Sequence, residues 1–240
     1  MRARAWRIGH RLTPSEVPAR ANIYGFRMLG VTSLIAVSAV GSLRDDYAPG
    51  HIVIPTQIYD RTKGIRPSTF FGEGIVAHVA FDKPFDAEVS RRLAQAATAA
   101  GATFHQGGTY VCMEGPQFST LAESNENRRR GFDLIGMTAL PEAKLAREAE
   151  IAYAMLAMVT DYDCWHPDHE AVTVETVVAT MHANSSMAQN IIRQVVPLLA
   201  TGLDSPAHHA LATAIMTDPR VIPAARRTQL ALLLDRYLQK

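Results

Sequence analysis

Two acids close the longest apolar run of the chain. Residues 151–160, IAYAMLAMVT, carry no charge, and Asp161-Tyr162-Asp163 follows directly. Alternate residues of an extended segment face the same way, so Asp161 and Asp163 can line one pocket. The competing reading makes both acids caps for a downstream helix. A metal is a third option, because His166, Asp168 and His169 are near. These acids and histidines lack the helical spacing of zinc enzymes and the glycine of a calcium loop, so no metal is expected. Two further strand ends carry hydroxyls. Val37-Ser38-Ala39-Val40-Gly41-Ser42 puts small residues at the carboxyl end of an apolar strand, where ligands of open α/β sheets bind and backbone amides can approach an anion. It also reads as a tight turn after a core strand. Gly136-Met137-Thr138 follows the strand at 134–135 and sets a hydroxyl beside a flexible thioether, or simply ends that strand with a core methionine.

The elements that must position these residues alternate between short β-branched runs and longer helical segments, which predicts a layered α/β domain with a partly parallel sheet. Strands are expected at 31–40, 51–58, 109–113, 134–137 and 151–160. Thr13 and Glu16 have capping-box spacing ahead of a helix that stops at Gly30, with Pro18 able to delay its start by a turn. Alanine-rich residues 86–100 form a helix closed by Gly101. Thr120 and Glu123 repeat the capping-box spacing, so Phe118 and Ser119 sit beside a helix mouth. A long helix is expected from 173 to 196, ended by Pro197. No repeat, low-complexity stretch or linker divides the chain, and residues 1–240 read as one domain.

A chain of 240 residues that is 48% hydrophobic, 20% charged and +1 in net charge can bury a full core. Its near balance of acids and bases leaves no footprint for nucleic acid. No run approaches bilayer-spanning length, so no membrane role is expected. Cys112 and Cys164 sit in apolar surroundings without metal or redox spacing and read as reduced thiols in a cytoplasmic protein. The arginine-rich, acid-free start MRARAWRIGHR has no amphipathic continuation that would make it a targeting peptide.

The segment MEGPQFSTLAES, from Met113 to Ser124, taken with the three strand ends, resembles the trimeric purine nucleoside phosphorylases, and within them the S-methyl-5'-thioadenosine phosphorylases. The resemblance runs from His10 to about Pro197. It implies a three-layer αβα fold with a mixed central sheet, phosphorylase/hydrolase-like, and a reaction in which inorganic phosphate, with no other cofactor, displaces a purine from its sugar. Carried over by position, Ser38, Ala39 and Thr138 match phosphate contacts, Met137 the ribose-packing residue and Phe118 the residue along the base. Ser119, Asp161 and Asp163 match the base-recognition set. Val174 and Val177 match an apolar pocket for a methylthio group, although two valines three apart on a helix also fit a core. His78 matches a residue that reaches a neighbouring subunit, which implies a homotrimer; a lone histidine is equally a surface or core residue.

Relatives acting on 6-oxopurines carry Glu and Asn where this chain has Ser119 and Asp161. A carboxylate at Asp161 accepts from the amino group of adenine, shares a proton with the adjacent ring nitrogen and repels a carbonyl. The expected reaction is phosphorolysis of S-methyl-5'-thioadenosine to adenine and 5-methylthioribose 1-phosphate, with Asp161 and Asp163 catalytic. A 6-oxopurine nucleoside phosphorylase and a non-catalytic homologue are the alternatives. The family pattern places a glycine-rich phosphate turn ahead of position 1, and Arg and His where Ala5 and Trp6 stand. The expectation is therefore an amino-terminally truncated member of the family.

Overall fold

A computed structural model describes residues 10–167 and 174–238. Seven strands make one sheet: β1 (Ser33–Ser42), β2 (Ile52–Ile54), β3 (Gln57–Arg61), β4 (Phe104–Gln106), β5 (Thr109–Met113), β6 (Leu134–Gly136) and β7 (Ala152–Asp161), in the order β3-β5-β6-β1-β7-β2-β4. The β1–β7, β2–β4, β3–β5 and β5–β6 pairs are parallel, whereas β1–β6 and β2–β7 are antiparallel. The sheet is mixed, as expected.

Helices cover both faces, and β7 shows why. Every residue from Ala152 to Thr160 is buried, so the strand has no solvent side and its alternate residues feed two different layers. Tyr153, Met155, Ala157 and Val159 pack with Ile23 of α1 (Ala19–Met28) and with Ala143 and Leu145 further along the chain. Leu156 and Met158 face Leu93 and Ala97 of α2 (Ala87–Ala99) and, opposite them, Ile191 and Val195. Between these lie α3 (Leu121–Arg129) and α4 (Glu142–Glu148), which carries Ala143 and Leu145; α5 (Val174–Ala200) carries Ile191 and Val195. Two short helices, α6 (Ala224–Gln229) and α7 (Ala231–Leu238), finish the chain.

The capping signals form as read. Thr120 and Glu123 close a reciprocal box on α3, while Asp86, expected inside its helix, is the residue that caps α2 by accepting from the Val89 amide. At the amino end the Thr13–Glu16 box closes on a single 3-10 turn (Pro14–Glu16), and α1 begins only at Ala19, after Pro18. Gly30 follows α1 at φ 73°, a conformation glycine adopts without strain.

Three expectations change. The strand predicted over 51–58 is two strands, because Pro55 has no amide to continue the ladder. The Thr56 and Gln57 amides turn to the Gly108 carbonyl, and the chain crosses from one side of the sheet to the other. Pro197 lies inside α5 rather than at its end. Leu198 and Leu199 pack on the α2 layer and the Arg92 guanidinium donates to the Leu198 carbonyl at 2.7 Å, which holds the last turn despite the missing amide. Neither β4 nor α4 was anticipated; at three and seven residues both are too short to show a period. Among the described residues no helix is long and apolar enough to cross a membrane.

Candidate active site

Antiparallel register brings the first two sites together. Gly41 pairs with Ile135 and Ser42 with Leu134, so continuing the same register sets Ser38 opposite Thr138, just beyond the end of β6. Their hydroxyl oxygens are 2.8 Å apart. Ala39 follows Ser38 on β1, half-buried, and the Ser38 hydroxyl also donates to its carbonyl at 3.1 Å. The loop carrying Met137 and Thr138 is pinned from below. The Thr138 amide donates to the Tyr110 hydroxyl at 3.2 Å and the Leu140 amide to Cys112 Sγ at 3.4 Å. A side chain at Gly136 would collide with Tyr110, so the glycine permits the close approach.

Parallel register brings in the third. Val40 pairs with Val159 but Gly41 pairs with Asp161, so Thr160 is an extra residue on β7. Bulges of this kind re-aim side chains beside binding sites. Here the buried Thr160 hydroxyl lies 3.2 Å from the Val40 carbonyl and 2.7 Å from Asp161 Oδ2. Asp161 Oδ1 accepts from the Asp163 amide at 2.8 Å. A Cβ on Gly41 would stand 2.9 Å from that same oxygen, so glycine makes room for the carboxylate. Three residue steps along β1 lead from Gly41 to Ser38, about 10 Å at the rise of a strand. That separation suits a ligand with a polar base at one end and an anion at the other.

Asp163 is buried and Asp161 half-buried. Burial pushes the Asp161 carboxyl above its ordinary pKa, against the Thr160 hydroxyl and the Asp163 amide, which favour the ionised form. Asp163 is 7% exposed and is likewise pushed up by burial. Its Oδ2 is buried without a hydrogen-bond partner, as is Ser124 Oγ on α3. Asp163 also adopts φ 52°, the left-handed region that costs most residues strain. The turn is locked nonetheless: Trp165 Nε1 donates to the Ser42 carbonyl at 2.8 Å, and the Arg128 guanidinium stacks 3.3 Å from the Trp165 ring centre.

Phe118 and Ser119 precede the mouth of α3, as the capping box predicted. Phe118 is 46% exposed, an aromatic face open to a ligand. Ser119 is joined to the acidic turn, since Cys164 Sγ donates to its carbonyl at 3.4 Å. Thr138, Met137, Ser119, Asp161 and Asp163 thus stand on neighbouring strand ends and on the turns that follow them, whereas Ser38, expected at a strand end, lies inside β1, which continues to Ser42. His78 is exposed and tied by its amide to the Ala214 carbonyl, in a segment that pairs with Ile215. Val174 and Val177 begin α5, but their side chains lie outside the described residues, as do Asp168 and His169 altogether. Among the described residues no three His, Cys, Asp or Glu side chains are grouped to hold a metal ion. Gly41, Thr160 and Ser124 were not anticipated; the signal for Gly41 was its place in the small-residue run 38–42.

Residues 7–197 match the model of the phosphorylase superfamily. The chain belongs to that superfamily. As a member, it is 67% identical to the S-methyl-5'-thioadenosine phosphorylase of Chloroflexus aurantiacus over 95% of this chain and 80% of that protein. Its identity to the enzyme of the same name from Geobacter sulfurreducens is 54%, over 96% and 80%. A crystal structure of methylthioadenosine phosphorylase from an antarctic soil metagenomic library superimposes with a TM-score of 0.90 at 51% identity, covering 95% of this chain and 80% of that one. A Schistosoma mansoni adenosine/methylthioadenosine phosphorylase mutant, crystallised in complex with methylthioadenosine, gives 0.77 at 33% identity, covering 81% and 74%.

Proposed function

We propose that this phosphorylase-superfamily chain catalyses the phosphorolysis of S-methyl-5'-thioadenosine, releasing adenine and 5-methylthioribose 1-phosphate. The observation that carries the reading is the half-buried Asp161 carboxyl, pushed up in pKa and held beside Gly41, about 10 Å along β1 from the Ser38–Thr138 hydroxyl pair. In this mechanism an oxygen of inorganic phosphate, bound by Ser38, Thr138 and the amide of Ala39, adds to the anomeric carbon. The bond from that carbon to the purine nitrogen breaks, and its electron pair leaves with the base. The Asp161 carboxyl takes up a proton as the base binds and passes it to the ring nitrogen beside the amino group, neutralising the charge that develops there. No metal or organic cofactor takes part.

Phe118 lies along the base, and Met137 packs on the sugar, polarisable sulfur against the ring. Asp163 with Ser119 completes base recognition; its unpartnered Oδ2 accepts from the exocyclic amino group. An oxopurine would put a carbonyl against that oxygen and leave both acceptors unpaired, a cost of about 1–3 kcal/mol per group. Val174 and Val177 take the methylthio end, and His78 closes the site of a neighbouring copy in a homotrimer.

The test is adenine release by the purified protein. We expect release from S-methyl-5'-thioadenosine that requires phosphate, and little or no hypoxanthine from inosine. Phosphate-independent release, or none, overturns the reading; faster cleavage of inosine moves the chain to the oxopurine class. Light scattering at the mass of three chains supports the trimer, and a monomer removes His78 from the site.

A further inference from the structure

The guanidinium of Arg66 is the most heavily bonded side chain of the molecule's interior that the proposed reaction leaves unused. Its side chain is 4% exposed, although it comes from the loop RTKGIRPS, which reads as solvated. Nε donates to Glu114 Oε1 at 2.8 Å and, more weakly, to Ser15 Oγ at 3.3 Å. Nη1 donates to the carbonyls of Met137 at 2.7 Å and Leu140 at 2.6 Å. Nη2 donates to the carbonyls of Glu114 and, at 3.4 Å, Met113. All five N–H groups of the fork are engaged. Glu114 is fixed in turn by the Lys63 amide on Oε2 at 2.7 Å and by the Ser15 hydroxyl on Oε1.

The two Nη1 bonds go to the residues that bracket Thr138 and Ala139. One planar group therefore clamps both ends of the loop that carries Met137 and Thr138, while its other bonds hold the end of β5. The turn after Glu114 leans on the same loop: a Cβ at Gly115 would overlap Met137 Sδ.

We propose that Arg66, oriented by Glu114, is a positioning residue for phosphorolysis that fixes Met137 against the sugar and Thr138 against the phosphate. The inference rests on the function proposed above. Lysine at 66 keeps the charge opposite Glu114 but cannot reach the two loop carbonyls and the carboxylate together. The double change Arg66→Met with Glu114→Gln removes the charge on both sides, which proteins often tolerate, whereas removing one partner leaves a buried charge unpaired.

The experiment is steady-state kinetics and thermal melting of the full chain, R66K and the double variant, with the two KM values read separately because neither depends on the folded fraction. We expect R66K to fold but to melt below the parent, since lysine leaves loop carbonyls unpaired, and to raise the phosphate KM and lower kcat, each by about tenfold. The double variant is expected to melt near the parent and to keep the same kinetic defect. Parent values of kcat and both KM in whichever variant folds, or a kcat loss that only follows the folded fraction with both KM unchanged, overturn the positioning role. A parent that releases no adenine fails earlier, and that outcome takes the functional reading down with the inference.

Discussion

The two ends of the candidate site are built on opposite principles. At the base end, one carboxyl is buried and the other half-buried, both are pushed up in pKa, and one oxygen of Asp163 has no partner among the described residues. At the phosphate end the described groups are neutral hydroxyls that satisfy each other, Ser38 with Thr138 at 2.8 Å. An unpaired buried acceptor is costly until a donor arrives, so the base end gains most from a ligand that brings its own N–H groups. The phosphate end must exchange one good hydrogen bond for others, and its gain per group is smaller. Under the proposed function, discrimination between substrates belongs to the acidic turn, and the hydroxyl pair contributes placement.

If that contrast holds, Asp161→Asn has the largest effect of any change at the site. Removing the proton donor is expected to lower kcat/KM for S-methyl-5'-thioadenosine by about 10²–10⁴, while the melting temperature at neutral pH does not fall. An unchanged rate breaks the comparison at its root. Gly41→Ala tests the same end without touching the acid. Its methyl would stand 2.9 Å from Asp161 Oδ1 and must turn the carboxylate, so a loss of about 10²-fold in kcat/KM is expected, because displacements near 1 Å carry costs of that size. Parent activity in this variant means that the orientation of Asp161 is not critical.

At the other end, Thr138→Val removes one neutral donor and leaves the Ser38 hydroxyl free to turn. The loss of one such bond, about 1 kcal/mol, corresponds to a rise in the phosphate KM of about fivefold with the nucleoside KM little changed. A loss as deep as that of Asp161→Asn contradicts the idea that the hydroxyl end only places its ligand.

The same contrast explains what was readable in the sequence. Asp161 stood out because an acid that ends a run of ten uncharged residues has nowhere else to be in a layered fold. Phe118 and Ser119 were placed at a helix mouth by Thr120 and Glu123, a local signal that the structure repeats bond for bond. The pairing of Ser38 with Thr138 was not readable, because it depends on a register set 100 residues apart in the chain. Nor was the Thr160 bulge, whose extra residue looks like any other strand residue until its partner strand is known. Arg66 was missed for a third reason: a cation in a loop with glycine and proline resembles a solvated one, and only the fold buries it. Pro55 carried its message in plain view, since a proline inside a predicted strand argues for a break there.

The smallest effect sharpens the comparison most, because it isolates the cost of burying charge at the base end. Burial raises the folded-state pKa of Asp163 above its unfolded value of about 3.9. Below that unfolded value the carboxyl is neutral in both states. As pH rises through the raised folded pKa, the native protein must either ionise against burial or hold a proton that the unfolded chain has released, and stability is lost. Asp163→Asn removes the ionisation and suits the site, since asparagine tolerates the φ of 52° found there. The variant should therefore melt level with the parent near pH 4 and progressively above it as pH rises toward 8. Melting curves of both proteins across that range decide it. A gap that stays constant with pH, or a parent that gains on the variant as pH rises, means that Asp163 is not held in the molecule against its own charge.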